Sequence, residues 1–283
     1  MTAQGLPEFL EVEIGTYCNR ACSWCPNGYA SRGQTRDRMT RAVWLRTLAE
    51  LAALDYSGWF AFHNYNEPLA DPRILSLVRE ARRALARAKL TIYTNGDYLT
   101  ARLLDDLCDA GISEVKVTLY PTADCVADEP MLSRAVSFLD HLGLTVASHA
   151  EHYRRTELHA HTGHCLVRVA VPRVTRFSSR AGYLPLGLLA HPTRALRKEP
   201  CLLPCSSAAI DWKGNLKLCC QIYDVTLDQY KPYNMGNIES RSLPDLWFSD
   251  RFEQLRARLA LARFGADLAA CRWCDFRVAP GDR

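Results

Sequence analysis

The chain has 283 residues, 48% hydrophobic and 23% charged, with a formal net charge of +4. That length can bury a substantial core, as one large α/β domain or as a domain with a smaller companion, and so mild a charge argues against a nucleic-acid partner. "MTAQGLPEFL" is not a cationic leader, and no later stretch is apolar for long enough to span a bilayer, so neither secretion nor a membrane partner is expected and the chain reads as cytoplasmic.

In chain order, "FLEVEIGTY" (9–17) alternates as a strand, and "TRAVWLRTLAELAALD" (40–55) is a helix with Thr40 as its N-cap. "WFAFHNY" (59–65) is the next strand. "DPRILSLVREARRALARA" (71–88) starts as a helix with Asp71 as cap and Pro72 at its first position. "KLTIYTNG", "TARLLDDLCDAG", "SEVKVTLYP", "PMLSRAVSFLDHLG", "LTVASHA" and "CLVRVAV" continue the rhythm to residue 171. Six strands with a helix after each of the first four predict a parallel sheet with right-handed crossovers, whose ligands collect at the carboxyl ends of the strands. Past about residue 175 the pattern breaks. A turn at Lys213-Gly214-Asn215 predicts a hairpin in "AAIDWKGNLKLCC", and the chain divides into residues 1–195 and a smaller unit, 196–283.

Twelve cysteines are the anomaly. In a reducing compartment clustered thiols are metal ligands or catalytic groups rather than disulfides. Cys18, Cys22 and Cys25 follow the first strand in "EIGTYCNRACSWCPNG", at the active face of such a fold. A structural zinc takes four protein ligands, and an ordinary iron–sulfur cluster is held by four cysteines. Three thiolates leave one iron of a [4Fe–4S] cluster open to another ligand.

Cys-x3-Cys-x-aromatic-Cys, with Trp24 as the aromatic, resembles the signature of the radical S-adenosylmethionine (SAM) superfamily. The resemblance implies a partial (β/α)6 TIM-like barrel in which SAM chelates the open iron and is split to a 5′-deoxyadenosyl radical. "NYNEP" stands as a variant of the family's Gly-Gly-Glu motif, so Asn66 and Glu67 would face the SAM amino group. Thr118 lies where similar proteins contact SAM, and Arg180 of "SSRAG" would meet the SAM carboxylate or a substrate acid. As residues alone, the latter two read as a strand hydroxyl and a surface guanidinium.

The tail resembles the SPASM/twitch extensions of the same superfamily. Cys201, Cys219, Cys271 and Cys274 would hold one auxiliary [4Fe–4S] cluster of the shorter twitch type, with Cys205 as a rival to Cys201 and a zinc site as the alternative use of the four thiols. Of the remaining cysteines, Cys108 falls on the apolar side of a helix, as core. Cys125, Cys205 and Cys220 are candidate hydrogen-atom donors, Cys205 foremost, for an epimerase that quenches its substrate radical with a thiol. Without a donor the radical would pass its electron to the auxiliary cluster and an alcohol would become a ketone. Residues 149–198 carry eight arginines and one lysine against two glutamates, with five histidines in "HAEHYRRTELHAHTGH", read as a solvated loop. Arginines at the opening favour an anionic or hydroxyl-rich ligand. The resemblance therefore implies an enzyme that epimerises or dehydrogenates a carbohydrate-like small molecule, with peptide or amino-acid substrates as a further reading. Its external electron donor would be a flavodoxin or ferredoxin.

Overall fold

The computed structural model describes residues 5–121, 128–173, 178–184 and 196–276. Four βα units open it: β1 (Phe9–Val12) with α1 (Arg41–Ala53), β2 (Trp59–Ala61) with α2 (Ile74–Ala84), β3 (Lys89–Thr94) with α3 (Ala101–Asp109), and β4 (Glu114–Thr118) with α4 (Asp128–His141). Thr40 caps α1 as expected, its hydroxyl accepting from Val43 N–H. At α2 the cap works one step removed. Asp71 accepts from the Arg73 N–H at 2.9 Å, and regular helix begins only at Ile74.

A hairpin ladder follows: β5 (Ser148–Glu151), β6 (Arg155–Thr162) and β7 (Cys165–Pro172). The tail supplies α5 (Leu203–Ser206), β8 (Ser207–Ile210), β9 (Asn215–Lys217), β10 (Asn234–Asn237), α6 (Leu243–Trp247), α7 (Asp250–Ala260) and α8 (Ala269–Arg272). The ten strands among the described residues form one sheet, ordered β10-β9-β8-β1-β2-β3-β4-β7-β6-β5. Its central six, β8 to β7, run parallel, flanked by antiparallel strands at both ends.

The parallel core is the mixed α/β arrangement expected, with two departures. The predicted fifth strand is β5, an edge strand antiparallel to β6 rather than a member of the parallel run. The histidine- and arginine-rich segment is β6, not a loop: Thr156, Leu158 and Ala160 are buried on one face, while His159 and His161 alternate with them. The tail hairpin forms as predicted, with Gly214 at φ +83° and the Asp211 carboxylate accepting the Lys213 and Asn215 N–H groups at 2.9 Å. Its first strand pairs in parallel with β1, so the tail is woven into the sheet of the first unit.

One face of the parallel strands carries Leu10, Val12, Phe60, Leu90, Ile92, Val115, Val117, Val167 and Val169, all fully buried. Trp44 of α1 meets Phe60 edge-on at 6.0 Å. Burying a side chain of this size contributes about 1.5–3 kcal/mol. Cys108 joins this core. The opposite face follows from the register, which aligns Glu11 with Ala61, Ala61 with Thr91, Thr91 with Glu114, and Lys116 with Arg168. A two-residue period on parallel strands thus places charge on the inner face and aliphatics on the outer one.

Candidate active site

The inner face and the carboxyl-end loops enclose a cavity of ≈ 370 Å³, within the range of small-molecule sites. Cys18, Cys22 and Cys25 line it from the loop after β1. Short hydrogen bonds shape that loop: Cys18 N–H donates to Gly33 O at 2.9 Å, and Cys25 N–H to Cys22 O at 3.0 Å. At Gly28 a Cβ would fall 2.4 Å from the Cys22 carbonyl, so the turn closes only with glycine. Asn27 then ties the loop to its neighbours, donating to Tyr65 O at 2.7 Å and accepting from Tyr223 Oη at 2.9 Å. Burial pushes the thiols up, Cys18 to about 12 and Cys22 to about 11, with Cys25 shifted the same way.

Trp24, Asn66, Glu67, Thr118 and Arg180 line the same cavity, so every residue expected to border SAM is brought together with the three thiols. Trp24 stacks on Tyr120 at 5.7 Å. Glu67 is more than a pairing group: its carboxylate accepts Thr94 Oγ1 at 2.7 Å, Asn95 N–H at 2.8 Å and Leu69 N–H at 3.0 Å, pinning the loop after β2 to the end of β3. Arg180 is not on the surface. It sits at φ +51°, and its Nε has no hydrogen-bond partner among the described residues. Burial works against its charge, but the phenols of Tyr65 and Tyr120 and the thiols of Cys25 and Cys220 outweigh it and hold its pKa above the ordinary value.

Cys220, one of the three candidate hydrogen donors, lines the cavity too, as do Glu11, His63, Tyr93, Lys116 and Arg155, which the sequence did not single out. Burial raises the Glu11 pKa while Asn64 donates to its carboxylate. His63 stacks on Tyr93 at 4.2 Å and is driven down to about 3 by burial and by Lys116, Arg180 and Lys217. Lys116 and Arg155 both pair with Glu157, which is fully buried. The signal that could have found Glu11, Lys116 and Arg155 is charge at alternate positions within strands whose other positions are apolar.

Cys201, Cys219, Cys271 and Cys274 line a second, smaller cavity. Cys205 lines neither cavity among the described residues. It lies on α5, where its electrostatic neighbours are Arg256, Cys201 and Glu253. Cys125 lies outside the described residues. Among the described residues, no three histidine, cysteine or acidic side chains converge closely enough for a single ion. A zinc tetrad needs four sulfurs about 2.3 Å from one point. Four thiolates round one chamber suit zinc or an iron–sulfur cluster alike. Leu203, Gln221 and Phe276 line both cavities, so the two are separated by a single layer of side chains.

A cysteine-triad loop over a parallel α/β sheet, backed by a four-thiol chamber, is the arrangement expected of a radical SAM domain joined to an auxiliary iron–sulfur domain. Residues 12–129 match the radical SAM superfamily, and residues 201–275 match SPASM, an iron–sulfur cluster-binding domain. These domains imply SAM and two [4Fe–4S] clusters as cofactors. The chain is 27% identical over 275 residues to the S-adenosyl-L-methionine-dependent 2-deoxy-scyllo-inosamine dehydrogenase of Niallia circulans, covering 94% of this chain and 92% of that one. Among solved structures, BtrN in complex with AdoMet and 2-DOIA is similar with a TM-score of 0.72 and 25% identity, covering 100% of this chain and 98% of that one. Selenomethionine BtrN in an open conformation shares the fold at a TM-score of 0.63 and 24% identity, over 94% and 92% of the two chains. No helix among the described residues is long and apolar enough to cross a membrane.

Proposed function

We propose that the protein is a radical SAM dehydrogenase that oxidises a secondary alcohol of a cyclitol-like substrate to a ketone. In this reading Cys18, Cys22 and Cys25 hold one cluster and leave its fourth iron to SAM. Trp24, Asn66, Glu67, Thr118 and Arg180 border the cofactor, and Cys201, Cys219, Cys271 and Cys274 hold the auxiliary cluster. When bound, these groups supply a 5′-deoxyadenosyl radical that takes a hydrogen atom from the substrate and an acceptor for the electron left behind. The observation that carries the reading is the shared wall of Leu203, Gln221 and Phe276, which sets the four-thiol chamber directly behind the substrate cavity.

This replaces the epimerisation expected from the sequence. The curated relative is a dehydrogenase; of the candidate hydrogen donors, Cys205, the foremost, does not line the cavity among the described residues, while Cys220 does. The cavity wall supports a polar, hydroxyl-rich substrate: Glu11 offers acceptors on one side, and Lys116 and Arg155 offer donors on the other. A flavodoxin or ferredoxin would deliver the electron that opens each turnover, as befits an intracellular enzyme.

The test uses anaerobically reconstituted enzyme with SAM, reductant and an aminocyclitol alcohol in deuterated water. The expected product is lighter than substrate by two hydrogens, appears with one 5′-deoxyadenosine each, and carries no solvent deuterium at the reacting carbon. A product of unchanged composition bearing one deuterium would refute the dehydrogenase in favour of thiol quenching.

A further inference from the structure

Three distant parts of the chain meet on one buried guanidinium that lines neither cavity. Arg32 lies in the single helical turn Ser31–Gln34, next to Gly33, whose carbonyl accepts the Cys18 N–H at 2.9 Å. It is 9% exposed. Its Nη2 pairs with Glu13, one residue past β1 and fully buried, and its Nη1 donates to Tyr223 O at 2.9 Å. The Asp224 carboxylate lies 4.0 Å from its Nε, and its Cζ sits over the rings of Trp212 and Tyr223 at 4.2 and 4.7 Å.

Glu13 and Tyr223 pass the connection on. The other oxygen of Glu13 accepts the Tyr65 N–H at 3.0 Å, and Tyr65 Oη donates to the carbonyls of Cys220 and Gln221 at 3.1 and 3.2 Å. Tyr223 Oη donates to Asn27, two residues past Cys25, at 2.9 Å, and its ring meets that of Tyr65 edge-on at 4.9 Å. Residues 219–224, held in this way, carry Cys219 of the four-thiol chamber and Gln221, which lines both cavities. The loop that holds them carries the cysteine triad.

A buried ion pair adds little net stability, because desolvation offsets most of its attraction; what it supplies instead is a fixed geometry. The planar fork of arginine suits that use, since it meets a carboxylate and a carbonyl in set directions. We propose that Arg32 is a positioning residue that fixes the triad loop against residues 219–224, and so sets the thickness of the wall that the substrate's second electron crosses. Its chemistry is that of the dehydrogenase reading, on which it rests: the alcohol carbon gives a hydrogen atom to the deoxyadenosyl carbon, the hydroxyl gives a proton to solvent, and the electron left behind reduces the auxiliary cluster by one. With Arg32 in place, hydrogen abstraction and ketone formation stay matched. Without it the first proceeds while the second lags.

The experiment compares anaerobically loaded wild type with Arg32→Gln, Arg32→Lys and Tyr223→Phe. Arg82→Gln is the control: it strips a half-buried guanidinium that binds the carbonyls of Leu85, Ala88 and Gly111, ahead of β3 and β4 and thus at the opposite end of the strands. Iron content and Tm report loading and folding. Magnetic coupling between the two reduced clusters, read by electron paramagnetic resonance, reports their separation without turnover, and a single turnover gives ketone and 5′-deoxyadenosine. Arg32→Gln is expected to keep wild-type iron and the SAM-induced change in the reduced-cluster spectrum, and to weaken or spread the cluster–cluster coupling. It should yield ~10-fold less ketone per 5′-deoxyadenosine, since a misplacement of about 1 Å far from the chemistry costs as much as roughly 100-fold. Arg32→Lys should lie between, because lysine keeps a charge opposite Glu13 but not the fork that also reaches Tyr223. Arg82→Gln should match wild type in coupling and in product ratio whatever its Tm. Should Arg32→Gln lose iron, Arg32→Lys and Tyr223→Phe carry the test, each expected to lower the ratio several-fold. Wild-type coupling or a wild-type ratio in a fully loaded Arg32 variant would overturn the proposal, and so would an equal loss in Arg82→Gln. Coupling altered in the Arg32 variants alone, with no ketone even from wild type, would support the tie and fault the assigned reaction.

Discussion

Replacing Glu157 by Gln tests how the cationic wall of the cavity is held. The Glu157 carboxylate receives Lys116 Nζ at 2.6 Å and Arg155 Nε, with Arg168 Nη1 at 3.7 Å. At that separation and an effective dielectric of ~20 the lysine pair alone attracts by about 6 kcal/mol, most of which desolvation offsets. The substitution leaves these cations facing a neutral amide, so the expected cost is that of breaking a buried pair, about 3–5 kcal/mol. In a chain of this size each kcal/mol moves Tm by about 2–4 °C, which predicts a fall of about 10 °C. The pH dependence follows from the direction of the shift. Burial alone would raise the Glu157 pKa, but Lys116 and Arg155 outweigh it and hold the carboxyl well below its usual range. A group depressed in the fold stabilises it above the unfolded pKa of about 4.3 and loses that contribution as pH falls toward the folded value. Wild-type Tm should therefore drop more steeply than that of E157Q below about pH 5. Anaerobic scanning fluorimetry across pH, with iron content as control, makes the measurement. A Tm change under about 2 °C at neutral pH, or parallel pH profiles, would refute the reasoning.

Three further outcomes follow from the site. Cys201→Ala should halve the iron bound per chain after reconstitution whereas Cys205→Ala should not, because only Cys201 lines the four-thiol chamber; iron and sulfide assays decide. Cys220→Ala should retain ketone formation within about 3-fold, since a mutation that merely trims a side chain from the cavity wall costs under about 1 kcal/mol; abolished turnover would restore a thiol to the mechanism. Glu67→Ala removes the acceptor for the buried Asn95 N–H and frees the loop after β2, at a cost of about 1–3 kcal/mol. Its SAM affinity should fall by ~10-fold, read as a weakened cofactor-induced change in the reduced-cluster spectrum, and unchanged affinity would deny Glu67 its clamping role.

What could be read from the sequence was what is local. Cysteine spacing, the helix cap at Thr40 and the turn at Gly214 each depend on residues a few positions apart, and each stands in the structure where expected. Strand alternation also gave the parallel core. The inner wall was illegible because it depends on register: Lys116 means little until Tyr93 and Arg168 are set beside it. The strand Arg155–Thr162 was hidden by its own composition, since histidines and arginines suggested solvent while Thr156, Leu158 and Ala160 carried the burial. The Cys-x-x-Pro pattern favours Cys201 over Cys205, four residues on, and Cys201 is the one that lines the four-thiol chamber. Arg180 was singled out by the resemblance alone, since nothing in its own stretch announces the tyrosines beside it.

The pairing of β8 with β1 bears on how the chain is made. Phe9 meets Ser207 and Val12 meets Ile210 in that ladder, so one of the two partners of the first strand is synthesised nearly two hundred residues after it. Until then a hydrogen-bonding edge at the middle of the final sheet stands open, the kind of edge that invites misassembly between nascent chains. Contacts of such long range also slow folding. Expression systems that lengthen the interval before residue 210 leaves the ribosome should therefore yield more inclusion bodies, and fusing a solubility partner at the amino terminus should relieve the loss more than one at the carboxyl end.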